Sequence, residues 1–153
     1  MTKRQTKAQK FADYHAAFKC VLAGESPKRV TNKDGSITTR PSVTVEEKSE
    51  AEVLKDCIKW LRSRGVVADR MNVGAGVLSD AGFRKYGIEG AGDIIAILSN
   101  GRHLEVECKA GKGGRWSVSQ QERAKKVEWN NAIYIIVHGI EELEYKMEYY
   151  LND

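Results

Sequence analysis

The sequence predicts an α/β fold, a mixed central β-sheet flanked by helices. Three observations lead there. The chain has 153 residues, 41% hydrophobic and 30% charged, which is the size of one domain with enough apolar side chains for a real core. Two prolines, 8% aromatics and no low-complexity block argue against wholesale disorder. From residue 45 onward the hydrophobic pattern runs helix, strand, strand, strand, helix, strand, and a sheet sandwiched by helices is the simplest way to bury it.

In chain order, residues 6–23 have helical spacing, with Phe11, Tyr14, Phe18 and Leu22 on one stripe and Gly24 as a stop signal. Residues 29–40 read as a small hairpin turning at Asp34-Gly35. A stronger helix is expected over about 45–64. Its stripe is Leu54, Cys57, Ile58 and Leu61, Gly65 ends it, and either Thr44 with Glu47 or Ser49 with Glu52 would make a capping box. A short strand over 66–73 then runs into a long loop of small residues, 74–92, of a length that in compact domains often marks function. Residues 93–98 form a strand, 99–101 a turn and 102–110 a second strand. A glycine-rich loop over 111–116, a helix over 117–129, a buried strand over 132–138 and helical residues 140–151 complete the chain.

Residues 1–40 carry nine Lys/Arg against three Asp/Glu, whereas residues 41–153 carry sixteen against eighteen. This divides the chain into a basic N-terminal arm, 1–43, and a near-neutral domain, 44–153, and it suggests a polyanionic partner. No apolar run approaches the roughly 18 residues of a membrane span. No apolar segment follows the basic N-terminus as a signal peptide would require. Cys20, Cys57 and Cys108 are odd in number and lack CxxC spacing, which argues against a disulfide framework and a Cys-rich zinc site and suits a reducing cytoplasm.

The densest chemical signal is Asp93, Glu107 and Lys109. Strand side chains alternate, so Glu107 and Lys109 share a face with Glu105 and His103, while Leu104, Val106 and Cys108 face the core. The turn decides whether Asp93 joins them. A two-residue Asn100-Gly101 turn pairs Ser99 with Arg102 and sets Asp93 opposite Cys108. A three-residue Ser99-Asn100-Gly101 loop with Gly101 left-handed pairs Leu98 with Arg102 and sets Asp93 opposite Glu107. The second is the expectation here. It brings two carboxylates to roughly 5 Å at Cβ, a site for a hard divalent cation such as Mg²⁺ or Mn²⁺. The Cys108 main-chain carbonyl is a further candidate ligand. Lys109 would orient or help deprotonate a water, or stabilise charge developing on a phosphate.

Other candidates surround this core. Glu50 stands at the head of the apolar stripe of its helix, where an acid needs either a partner or a job. The alternative is plain complementarity to the helix dipole. Gln120 either caps its helix from Ser117 or holds a water or phosphate. Arg70 and Asn72, after the first strand, are placed to face a substrate. Lys112 and Arg115, in a glycine-rich loop with Trp116, could approach a sugar-phosphate backbone, although such loops are as often plain connectors. His15, His103 and His138 lack ligand spacing, and only His103 falls near the site.

Taken together, SEAEVLKDCIKWLRSRG, RMNVGAG, GAGDIIAI, LEVECKAG, SVSQ and AIYIIV with a following EEL, spanning about 49–143, resemble the virus-type replication-repair nuclease (VRR-NUC) domain of the PD-(D/E)xK superfamily. The resemblance implies a restriction-endonuclease-like core and Mg²⁺- or Mn²⁺-dependent hydrolysis of phosphodiester bonds. Its metal ligands match Asp93 and Glu107, with Glu50 contributing through a water. Its catalytic lysine matches Lys109, its helix acid Glu50, its glutamine Gln120 and its basic residue Arg70. Two positions depart from the pattern: Gly92 stands where a proline usually precedes the aspartate, and Cys108 replaces a small aliphatic residue. Stand-alone viral members resemble Holliday-junction resolvases and act as homodimers, so the resemblance implies a DNA endonuclease acting on branched DNA as a homodimer, of phage origin, in a host cytoplasm. Nothing in the family matches the first 40 residues. The rival readings are a cleavage-inactive nucleic-acid-binding module, a sequence-specific restriction-type nuclease and an RNA nuclease.

Overall fold

A computed structural model describes residues 15, 18–24, 32–72, 74–77 and 83–151. The chain divides into two units, residues 1–31 and 32–153. In the first, His15 and residues 18–22 are helical, and the chain turns at Ala23-Gly24. Phe11 and Tyr14, and with them much of the expected helix over 6–23, lie outside the described residues, as does the first strand of the expected hairpin.

The larger unit is a mixed α/β fold. Its elements are β1 (Ile37–Thr39), α1 (Glu50–Ser63), β2 (Val67–Arg70), β3 (Gly74–Val77), β4 (Phe83–Tyr86), β5 (Ile94–Ile97), β6 (His103–Cys108), β7 (Gly114–Trp116), α2 (Val118–Trp129), β8 (Ile133–Val137) and α3 (Ile140–Leu151). The central sheet has the order β2-β5-β6-β8, with antiparallel β2/β5 and β5/β6 pairs and a parallel β6/β8 pair. The parallel pair follows from its connection, since joining two strands in the same direction needs a crossover, here made through α2. No helix among the described residues is long and apolar enough to cross a membrane.

Helix α1 starts at the second of its two candidate caps. Ser49 is the N-cap and accepts from the Glu52 amide, and the Glu52 carboxylate accepts in turn from the Ser49 amide. This selects Ser49/Glu52 over Thr44/Glu47 and begins the helix at residue 50 rather than 45. Val53, Leu54, Cys57 and Leu61 are buried, and they meet Ile94, Ala96, Leu104, Val106 and Cys108 of the sheet and Leu143 and Met147 of α3 in one core. Cys57 and Cys108 are both buried within it as free thiols. On the opposite face of the sheet α2 lays Ala124 and Val127 on Tyr134, a smaller second core.

Three expectations change. The 74–92 segment is not all loop, because β3 and β4 pair antiparallel as a two-stranded ribbon. The end of the glycine-rich segment is strand β7, which pairs with β1 across the chain. Consequently the expected boundary at 43/44 moves to 31/32. Residues 32–43 belong with the larger unit, held by the β1/β7 ladder and by Ser42, whose amide and hydroxyl donate to Glu142 Oε1 at 3.1 and 2.8 Å.

Candidate active site

The β5–β6 turn builds the site. The Gly101 amide donates to the Leu98 carbonyl, Leu98 and Arg102 face each other, and Gly101 has φ +82°. This is the three-residue loop, and the ladder then pairs Ile97 with His103 and Ile94 with Val106. One step further sets Asp93 against Glu107. The Cys108 amide donates to Asp93 Oδ2 at 2.9 Å. The N–H and C=O of one strand residue point to the same neighbour, so the Cys108 carbonyl lies on the Asp93 side as well. Gly92 has a local reason: a Cβ there would lie 2.9 Å from the Val106 backbone, so only glycine lets this lead-in reach β6.

The polar face of β6 is not the surface that its composition suggests. Glu105, Glu107 and Lys109 are 0%, 3% and 7% exposed, covered from the α2 side. Lys109 Nζ donates to Glu107 Oε1 at 2.5 Å, and Gln120 Nε2 donates to the same oxygen at 2.6 Å. The other end of the Gln120 amide accepts from the Ser117 amide at 2.9 Å, completing a capping box. The capping reading of Gln120 therefore holds, and the free end of its amide is engaged with Glu107.

Burial pushes the Glu107 carboxyl up to about 7, with the charge of Asp93 next to it adding to the effect. The Lys109 hydrogen bond and charge oppose the rise, and Glu50 adds a smaller upward push. Glu50 itself is exposed at the first position of α1 rather than buried on its stripe. The Gly111 amide donates to the Lys48 carbonyl at 3.0 Å, and this bond ties the lead into α1 to the chain just beyond Lys109.

Strand β2 supplies the opposite wall. The Met71 amide donates to the Asp93 carbonyl at 2.8 Å, which sets Arg70 and Asn72 beside Asp93. A cleft of about 230 Å³ results, lined among others by Arg70, Asn72, Asp93, Glu107, Ser119 and Gln120. Lys112 and Arg115 do not line it. They stand exposed and pair with Glu47 at 3.2 Å and Asp34 at 3.6 Å.

Among the described residues, no three His, Cys, Asp or Glu side chains gather into a metal-holding group. The donor set is two carboxylates and a main-chain oxygen, with Glu50 further out. It fits a hard divalent cation on its charge, because two carboxylates crowded in a buried place carry a surplus of negative charge that one cation would relieve. Sequence reasoning missed Arg123, which hydrogen-bonds the buried Glu105. The signal was present, since Arg123 lies three residues after Gln120 on the same helix face.

No family model, curated protein or solved structure matches this chain.

Proposed function

We propose that residues 32–153 form a divalent-metal-dependent nuclease that hydrolyses phosphodiester bonds in DNA, branched DNA included, acting as a homodimer. The observation that carries the reading is the meeting of Asp93 and Glu107 at one open cleft whose far wall bears Arg70 and Asn72, with Lys109 hydrogen-bonded to Glu107 from behind. The sequence resemblance to VRR-NUC nucleases supports the same assignment.

Asp93, Glu107 and the Cys108 carbonyl would hold Mg²⁺ or Mn²⁺, with Glu50 contributing through a water. When bound, the ion supplies Lewis-acid polarisation of the phosphate and a lowered pKa for a water. The chain's own residues do the rest. Arg70 and Asn72 bind the sugar-phosphate backbone and fix its register. Gln120 holds Glu107 in orientation through its amide. Lys109, held against Glu107, would orient the attacking water and stabilise charge developing on the phosphate oxygens. Water adds to phosphorus, the P–O bond opposite breaks, and the leaving oxygen takes up a proton.

The test is cleavage of four-way-junction, duplex and single-stranded DNA, and of RNA, by wild type, Asp93→Ala and Lys109→Ala, each with Mg²⁺, Mn²⁺ or EDTA. Wild-type cleavage should require metal. Each variant should lose it by at least about a hundredfold, as when a main electrostatic group is removed, while still binding DNA. Undiminished cleavage by either purified variant would overturn the assignment. Tight DNA binding without cleavage under any metal would favour a binding module, and cleavage confined to RNA an RNA nuclease.

A further inference from the structure

We infer that Glu105 is a positioning residue for Asp93, holding the turn that delivers this carboxylate to the cleft. The inference rests on the reading of Asp93 and Glu107 as the metal-holding pair.

Glu105 is fully buried two residues before Glu107 on the same strand face. Its Oε2 accepts from the Gly92 amide at 3.1 Å, one residue before Asp93. The remaining acceptor capacity is also used. Arg123 Nε donates to Oε1 at 3.0 Å, Arg123 Nη2 donates to the same oxygen, and His103 Nε2 lies 2.9 Å from it. Burial alone would raise the Glu105 carboxyl, and these partners more than reverse it, keeping it ionised and therefore acceptor-only.

A buried carboxylate–guanidinium pair is a poor way to stabilise a fold, since a hydrophobic pair of the same volume often does as well or better. What the carboxylate does that an apolar side chain cannot is hold the Gly92 amide. The same segment is held a second time, where the Tyr134 hydroxyl donates to the Gly90 carbonyl at 3.2 Å. The arrangement is a lattice of two elements. On β6, Glu105 and Glu107 stand two residues apart; on α2, Gln120 and Arg123 stand three apart. Gln120 holds Glu107 and Arg123 holds Glu105. Asp93, which comes from a turn, is thereby referred to the same rigid strand that carries Glu107. Partners behind a ligand set of this kind typically change metal affinity by about ten- to a hundredfold when removed.

The test is Mn²⁺ binding to the full-length protein without nucleic acid, followed by calorimetry or by the electron-spin signal of free Mn²⁺. Circular dichroism confirms folding at the same temperature. Glu105→Leu, which fills the space but offers no acceptor, should weaken Mn²⁺ binding by about ten- to a hundredfold. Glu105→Gln, which returns an oxygen to the Gly92 amide, should recover affinity to within a few-fold of wild type. Should Glu105→Leu not fold, the double variant Glu105→Leu/Arg123→Met removes both buried charges together, and it should combine unchanged stability with the same loss of Mn²⁺ affinity. A folded Glu105→Leu or double variant that binds Mn²⁺ like wild type would overturn the positioning role alone. Absence of Mn²⁺ binding by wild type would overturn the metal-dependent reading beneath it.

Discussion

Glu107 is buried, accepts from both Lys109 and Gln120, and lies beside the charge of Asp93. With its carboxyl raised from an ordinary 4.5 to about 7, the folded chain keeps a proton that the unfolded chain has released. By linkage, this group's contribution to stability is full below pH 4.5 and is lost as pH rises through 7. In EDTA, the wild-type melting temperature should therefore fall between pH 5 and pH 8, and Glu107→Gln should show a flatter profile over that range. Parallel profiles for the two proteins would show that Glu107 is not the titrating group. Residue types made Asp93, Glu107 and Lys109 legible as a set. They did not make Glu105 legible as a buried anchor, because its burial depends on a helix that is remote in sequence.

The element that decides the site is the turn between β5 and β6. Its length sets the register, and a one-residue slip would turn Asp93 toward Cys108. Gly101 makes the three-residue form possible by adopting φ +82°, and nothing lies within 4 Å of a Cβ built there. Gly101→Ala should thus cost backbone strain alone, about 1 kcal/mol, read as a lower urea midpoint with an unchanged slope. A loss several times larger would mean that the turn carries contacts beyond its backbone. The elements that escaped sequence reading are β3, β4 and β7, while β1 falls in the expected hairpin but pairs with β7 instead. Each has only three or four residues, and β3 and β7 contain glycine, so no alternation rises above the background. The partner of β1 also lies some 77 residues downstream, where no local pattern points.

For the whole molecule, the division at 31/32 changes what the basic arm is. Lys33 and Arg40 belong to the larger unit, and β1 is part of its structure. A chain beginning at Asn32 should unfold cooperatively. One beginning at Thr44 loses the β1/β7 ladder and both Ser42 bonds to the buried Glu142, so it should melt several degrees lower, the size of shift that ~1 kcal/mol gives a domain of this length. Equal melting temperatures for the two truncations would return the boundary to 43/44. Glu142 sharpens the point. Burial would raise its carboxyl, but hydrogen bonds from His138, Lys146 and Ser42 outweigh this and hold it well below the usual range. Its contribution is present above the ordinary carboxylate value and is lost on acidification, so Glu142→Gln should reduce the acid dependence of unfolding.

The sequence by itself determined the order of the main helices and of the four central-sheet strands, the inward face of β6, two candidate caps for α1 and, through one three-residue turn, the pairing of Asp93 with Glu107. All of these depend on neighbours within about fifteen residues, where periodicity and turn chemistry act directly. Tertiary structure alone decided that the polar face of β6 is buried, that Arg123 reaches Glu105, and that β1 closes on β7. Those outcomes depend on which surfaces meet after the chain has crossed the sheet. The free energy of such meetings comes from shared burial of distant residues, and no single stretch of sequence carries it.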